Sequence, residues 1–308
     1  MIRVQRRSPS FHSHDPRFGN THRRIRSTPI ELKSRPYVPT AVAEKSGSKK
    51  RLKVATYNIN GINPRLHVLT RWLEEFQPDI VGLQELKCTD EAFPAKDLEA
   101  LGYASIWHGQ KTWNGVAILS RVGEPVETGR GLPGDPHDEQ SRYIEAAVSG
   151  LLIGNLYLPN GNPWPGPKFD YKLAWMDRLH AHAQHLLDSG LPALLTGDFN
   201  VIPTEQDVYK PERWAKDALF SPEARKKFAE LVDQGWVDAL RTLHPDERIY
   251  TFWHYWRSSF ERDAGIRIDH FLLSPSLAKA LKSAGVDRTP RGWEKTSDHA
   301  PTWVELET

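Results

Sequence analysis

Polar side chains of a few kinds recur where the apolar runs of this chain stop. Asn58 and Asn60 follow VATY, Glu85 follows VGLQ, Asn160 follows LYLP, and Asp198 and Asn200 follow LLTG. Asp269 sits inside RIDHFLL, and Asp298–His299 opens the last apolar run. An Asp or Asn after a strand ordinarily makes a turn, so each residue alone has a plain explanation. The repetition of carboxylate, amide and imidazole at one run end after another is not explained that way. If these ends face the same way, they line one cavity. Three Asp and one Glu drawn together repel unless a cation or a proton relieves them. Oxygen donors favour Mg2+ or Mn2+ over zinc.

Other chemistries find less support. There is no HExxH, no Cys cluster and no GxxxxGK[ST] phosphate loop. The single cysteine, Cys88, allows no intrachain disulfide and has no His-paired motif around it. His180, His182 and His185 stand at i, i+2 and i+5, and the first two do not share a helix face, so they read as helix surface and not as a metal site.

The elements that must position the polar residues follow from apolar spacing. Residues 52–58, 79–85, 103–107, 115–120, 142–148, 151–158, 193–200, 267–274 and 299–306 read as strands. Residues 65–76, beginning near Pro64, and 168–188, ending before Gly190, read as helices. Residues 221–235 and 274–285 read as helices with N-cap serines. Many strands interleaved with few helices predict an α/β fold in which two sheets pack with helices outside. No internal repeat stands out by eye.

Of 308 residues, 39% are hydrophobic, enough for a sizeable core, and no apolar run reaches the ~18 residues needed to span a bilayer. Residues 1–50 carry 12 Lys and Arg against three Asp and Glu, so the remainder has an excess of acidic groups. With five prolines and no sustained period, residues 1–50 read as a disordered basic tail, and 51–308 as the catalytic domain. The tail reads first as solvated. An organelle transit peptide and an electrostatic tether to DNA are the sharper alternatives.

The stretches TYNINGI (56–62), LQE (83–85), YLPNG (157–161), GDFNVIPTEQD (197–207), RIDHFLLS (267–274) and SDHAPTW (297–303) stand in that order. Together they resemble the exonuclease III family of abasic-site DNA endonucleases, within the endonuclease/exonuclease/phosphatase superfamily. The resemblance covers residues 51–308. It implies a four-layered α/β sandwich of two mixed β-sheets flanked by helices. It also implies a Mg2+-dependent nuclease of base excision repair, with Mn2+ as a substitute. Such an enzyme cuts double-stranded DNA 5′ to abasic sites and trims 3′ ends. By the same resemblance Glu85 is the principal metal ligand, with Asn58, Asp198, Asn200, Asp298 and His299 around the metal. Asp198 activates water, Asn200 and Tyr157 hold the phosphate, and Asp269 pairs with His299. Asn60 stands where some relatives carry Asp, and His254 where relatives often have Asp. Substrate contacts are expected from Asn60, Lys87, Asn114, Arg142, Asn160 and Trp253, with Arg65 and Lys111 as further rim candidates. The aromatics of the 251–257 loop read equally as lesion wedges and as loop packing. A monomer acting in the bacterial cytoplasm on the nucleoid is expected, or an organelle protein if the tail is a transit peptide. The rival readings are an inositol-phosphate phosphatase, a sphingomyelinase, an RNA 3′ exonuclease, or a non-catalytic DNA-binding protein.

Overall fold

A computed structural model describes residues 51–307, and the tail reading of residues 1–50 lies outside them. The described strands are β1 (Arg51–Asn58), β2 (Ile80–Gln84), β3 (Ala104–His108) and β4 (Val116–Ser120). They continue with β5 (Val126–Arg130), β6 (Tyr143–Val148), β7 (Leu151–Tyr157) and β8 (Ala193–Asp198). The last four are β9 (Val237–Asp238), β10 (Asp269–Leu273), β11 (Leu281–Val286) and β12 (Thr302–Glu307). The helices are α1 (Leu66–Phe76), α2 (Ala95–Ala100), α3 (Pro167–Asp188), α4 (Pro222–Asp233), α5 (Ala239–Leu243) and α6 (Pro275–Ala278).

The strands form two six-stranded sheets, ordered β11-β12-β1-β2-β4-β3 and β5-β6-β7-β8-β10-β9. Each sheet has one parallel pair, β1–β2 in the first and β7–β8 in the second, and all other pairs are antiparallel. Advancing every strand number of the first sheet by six, cyclically, reproduces the second. The sequence hides this repeat because only the pairing pattern recurs.

Alternation along β1 shows how the layers form. Leu52 and Val54 point between the sheets, where they meet Ile80 and Ile118 and, from the second sheet, Ile153, Leu194 and Phe271. Ala55 and Tyr57 point outward onto Leu69, Trp72 and Leu73 of α1. On the other outer face, Trp175, Met176 and Leu179 of α3 and Phe228 of α4 cover Leu156, Leu195 and Leu272. The result is the expected four-layered α/β sandwich.

Register places the polar run ends. Asn58 pairs with Gln84, so Glu85 emerges beside Asn58 at one rim. In the second sheet Tyr157 pairs with Asp198, and Asp198 with Asp269. Three strands therefore carry their functional residues abreast. Below this rim, Asn155 of β7 reaches into the first sheet. Its amide donates to the Leu83 and Ala117 carbonyls, and its oxygen accepts from Gln84 Nε2 at 2.6 Å. Gly82 leaves room for it, since a Cβ there would lie 2.7 Å from Asn155 Oδ1.

The helix expected over 274–285 is corrected. It stops at Ala278, and Leu281–Val286 pairs as an edge strand with β12. Helix formers such as Ala, Leu and Lys yield there to an open row of backbone groups on β12. The Ser274 hydroxyl does not cap α6 but accepts from Ala193 N–H at 3.0 Å. Ser221 does cap α4. The sequence reading missed β5, β9, α2 and α5, which are short or solvent-facing.

Candidate active site

Glu85, Tyr157, Asn160, Asp198, Asn200, Asp298 and His299 line one pocket of about 280 Å³. Asn58 is fully buried beneath it, and its Nδ2 donates to Glu85 Oε1 at 2.8 Å and to Asp198 Oδ2 at 2.9 Å. Asp198 Oδ1 accepts from the Asn200 N–H at 2.9 Å. His299 Nδ1 lies 2.8 Å from Asp269 Oδ2, and its Nε2 lies 3.7 Å from Asp198 Oδ2. The run ends thus meet as the sequence anticipates. The backbone is shaped for it: Asn60, Glu85, Lys87 and Asn200 all have left-handed φ, between 47° and 53°, a conformation that clusters at functional sites. Gly197 carries φ 138°, and a Cβ there would collide with the Leu156 carbonyl. That fixes the glycine before Asp198.

The charges are set by burial and by one another. Burial pushes the Asp198 carboxyl up, the His299 charge opposes this, and Asp269 and Glu85 add to it, for a pKa of about 7. Burial alone would depress His299, but Asp269 and then Asp198 outweigh it and raise the imidazole to about 10. His299 is therefore an imidazolium at neutral pH. Glu85 is buried too, yet the Lys87 ammonium, 2.8 Å away, and the Asn58 amide hold its pKa below the ordinary value. The Tyr157 hydroxyl hydrogen-bonds Glu85, and burial keeps it protonated.

A family model described as the endonuclease/exonuclease/phosphatase family matches residues 55–299. The chain belongs to this family. It is 38% identical to exodeoxyribonuclease III of Haemophilus influenzae, over 83% of this chain and 100% of that protein. An AP endonuclease from Archaeoglobus fulgidus superposes with TM-score 0.80 at 39% identity, over 83% of this chain and all of that one. A 3′ phosphatase from Neisseria, bound to a product DNA hairpin, gives TM-score 0.80 at 40% identity, with the same coverage.

The side chains expected around the metal have defined partners in the pocket. Both ring nitrogens of His299 face carboxylates, Asp269 at Nδ1 and Asp198 at Nε2. Asn58 turns its oxygen to the Asn60 N–H and its NH2 to the Glu85 and Asp198 carboxylates, which it bridges as a donor. Asn200 is tied by Nδ2 to the Leu158 carbonyl and by Oδ1 to Asn160, an arrangement that positions it over the pocket. Asn60 is held between Lys87, Asp298 and Tyr255.

Trp253 is corrected outright. It is 0% exposed, and its Nε1 donates to Asp263, so it packs the loop and touches no substrate. Asn114 is also buried, with its amide on Gln110. Arg142 donates to the Tyr157 carbonyl and lies 4.8 Å from that ring, so it braces Tyr157. Arg65 donates to the backbone of Asn60 and Thr296 and braces the rim in the same way. Lys111 is exposed beside Trp113. His182 bonds Glu145 at 2.8 Å on the outer face of the second sheet, away from any metal role.

Phe252, from the 251–257 loop read as wedge or packing, lines the pocket, and sequence reasoning missed the rest of its apolar side, Leu219, Ile266 and Ile268, together with Trp214. It also missed Lys172. This lysine is fully buried under the pocket floor and donates to the carbonyls of Asn200 at 2.6 Å and Asn160 at 3.1 Å. Burial lowers its pKa to about 7, against the pull of Asp198 and Asp217.

Proposed function

We propose that this chain is a DNA phosphodiesterase that cuts 5′ to abasic sites and removes nucleotides or blocking groups from 3′ ends of duplex DNA. The observation that carries the reading is the ordered contact Asp269–His299–Asp198 in the same pocket as Glu85. A charged imidazole held by two carboxylates beside a basic carboxylate is what an incoming phosphodiester requires. Asp198, with a pKa near neutrality, is matched to taking a proton from water. The imidazolium of His299 donates toward the phosphoryl oxygens as their charge grows. The Tyr157 hydroxyl and the amides of Asn160 and Asn200 orient the phosphate. The apolar wall of Leu219, Phe252, Ile266 and Ile268 suits a sugar that lacks its base.

Cleavage in this family depends on a divalent metal. Among the described residues no three His, Cys, Asp or Glu side chains make a ready metal cluster. The donors that fit a hard cation are Glu85 and Asp298. Both are oxygen donors, and the Glu85 charge is compensated in this structure by the Lys87 ammonium. Bound there, Mg2+, with Mn2+ as substitute, would offset charge on the leaving 3′-oxygen. No described helix is long and apolar enough to cross a membrane.

The test is gel analysis of a labelled abasic duplex and a 3′-recessed duplex, with and without Mg2+, beside RNA and inositol phosphates. Metal-dependent cleavage of the two DNA substrates is expected. Turnover of RNA or inositol phosphate with inert DNA would overturn the proposal.

A further inference from the structure

The catalytic pocket has a neighbour. A second cleft of about 250 Å³ lies behind a wall of Trp214, Asp217 and His254, which line both spaces. That volume is below the ~300 Å³ at which drug-sized sites begin, so it suits a single heterocycle. The wall is a stack of rings. The His254 ring lies parallel to Trp214, at 2° and 5.9 Å between centroids, and to Trp256, at 15° and 4.2 Å. Trp256 is 58% exposed, a poor position for a ring that serves only packing. Burial keeps His254 below its ordinary pKa, so the stack carries no added charge.

Beyond the rings the cleft is basic. Arg213 and Arg257 line it, and their guanidinium groups make no ion pair or hydrogen bond among the described residues. Arg262 lines it as well and donates to the Arg257 and Ser258 carbonyls. Asp217, at the shared wall, disfavours a phosphate there and suits a ring bearing N–H groups. Phosphate is matched at the arginine side, and a flat heterocycle at the tryptophan side.

A nucleotide removed from a 3′ end differs from an abasic sugar by its base. Among the described residues this cleft shares Trp214, Asp217 and His254 with the pocket beside His299, and so offers that base a space next to the sugar. We propose that the cleft bounded by Trp256, His254, Arg213 and Arg257 is a nucleobase subsite, which receives the unpaired base of a 3′-terminal nucleotide during its removal. This rests on the reading of the chain as a DNA phosphodiesterase. The subsite separates two activities of one centre: abasic incision leaves it empty, and 3′-nucleotide removal fills it.

The full chain is tested on a duplex with a mismatched 3′-terminal nucleotide and on an abasic duplex. Trp256→Ala and the double variant Arg213→Ala/Arg257→Ala should raise KM for the mismatched end by about tenfold or more, as base stacking predicts. Abasic incision should stay within about twofold, and Trp256→Phe should restore the mismatched end. With chelator present and no turnover, 2-aminopurine as the 3′-terminal base should be quenched by the wild type and not by Trp256→Ala. Equal losses on both substrates would show a general grip on duplex and overturn the subsite, as would unchanged KM and quenching. A wild type inert on every DNA substrate would instead overturn the parent reading.

Discussion

His299 sits in the field of two carboxylates and returns that field to the substrate. Replacing it with Ala should lower turnover on an abasic duplex by about 10²–10³-fold or more, with an unchanged circular dichroism spectrum. Asp198→Asn should do the same. Near-normal cleavage by either purified variant would refute its role. Lys172 makes a different kind of contribution. Lys172→Met leaves the buried Asn200 carbonyl without a donor and removes a second bond to Asn160, so stability should fall by about 1–3 kcal/mol in urea titrations. Its kcat should fall by roughly tenfold with little change in KM, since a 1 Å displacement of positioning groups costs up to about 10²-fold. The carboxylates and amides were legible because they stand where strands stop. Lys172 was not, because a lysine in a long polar helix reads as solvated. Its signal was position: Phe169, Lys172, Met176, Leu179 and Ala183 trace one helical stripe, and all are buried. The turn of the Asn58 and Asn200 amides was never in the sequence, since orientation is decided by partners from other strands.

Asp207 ties together elements far apart in the chain. It accepts from Arg267 at 2.7 Å and from Arg241 of α5, and Arg267 also pairs with Asp238 at 2.8 Å, all within reach of β10 and the Asp269 it carries. Arg267 and Asp207 are essentially inaccessible to water. Asp207→Ala should therefore destabilise the protein by about 3–5 kcal/mol in denaturant, because it removes one of the two carboxylates that compensate the buried Arg267. A loss under about 1 kcal/mol would mean that the network is ornamental to stability, as exposed pairs are. Of the elements around this network, β10 was readable from its apolar run, whereas β9 and α5, which carry Asp238 and Arg241, were not. The network was not, because RID and EQD look like ordinary polar punctuation until sheet pairing brings them together. The edge strand β11 was misread for the related reason that its pairing partner lies sixteen or more residues onward.

Two histidines give the whole fold opposite pH limits. Burial, then the charge of Arg267, hold His270 down at about 4, so the unfolded chain binds a proton that the folded one refuses between about 6.5 and 4. Stability should decline over that window by on the order of 3 kcal/mol. His299, raised to about 10, contributes stability that is complete below about 6.5 and lost as pH climbs toward 10. Urea midpoints from pH 4 to 10 should pass through a maximum near neutrality. His270→Gln should flatten the acid side alone, and an acid side unchanged in that variant would reject the assignment.

Arg51 stands opposite Glu307 where β1 and β12 pair. The first and last residues of the sandwich are therefore neighbours across a single ladder rung. A short glycine-rich join from 307 to 51 would close the backbone into a ring without disturbing either face. Fresh ends could then be opened in the exposed 133–137 turn. Such a rewired enzyme, lacking residues 1–50, should cut an abasic duplex about as well as the parent.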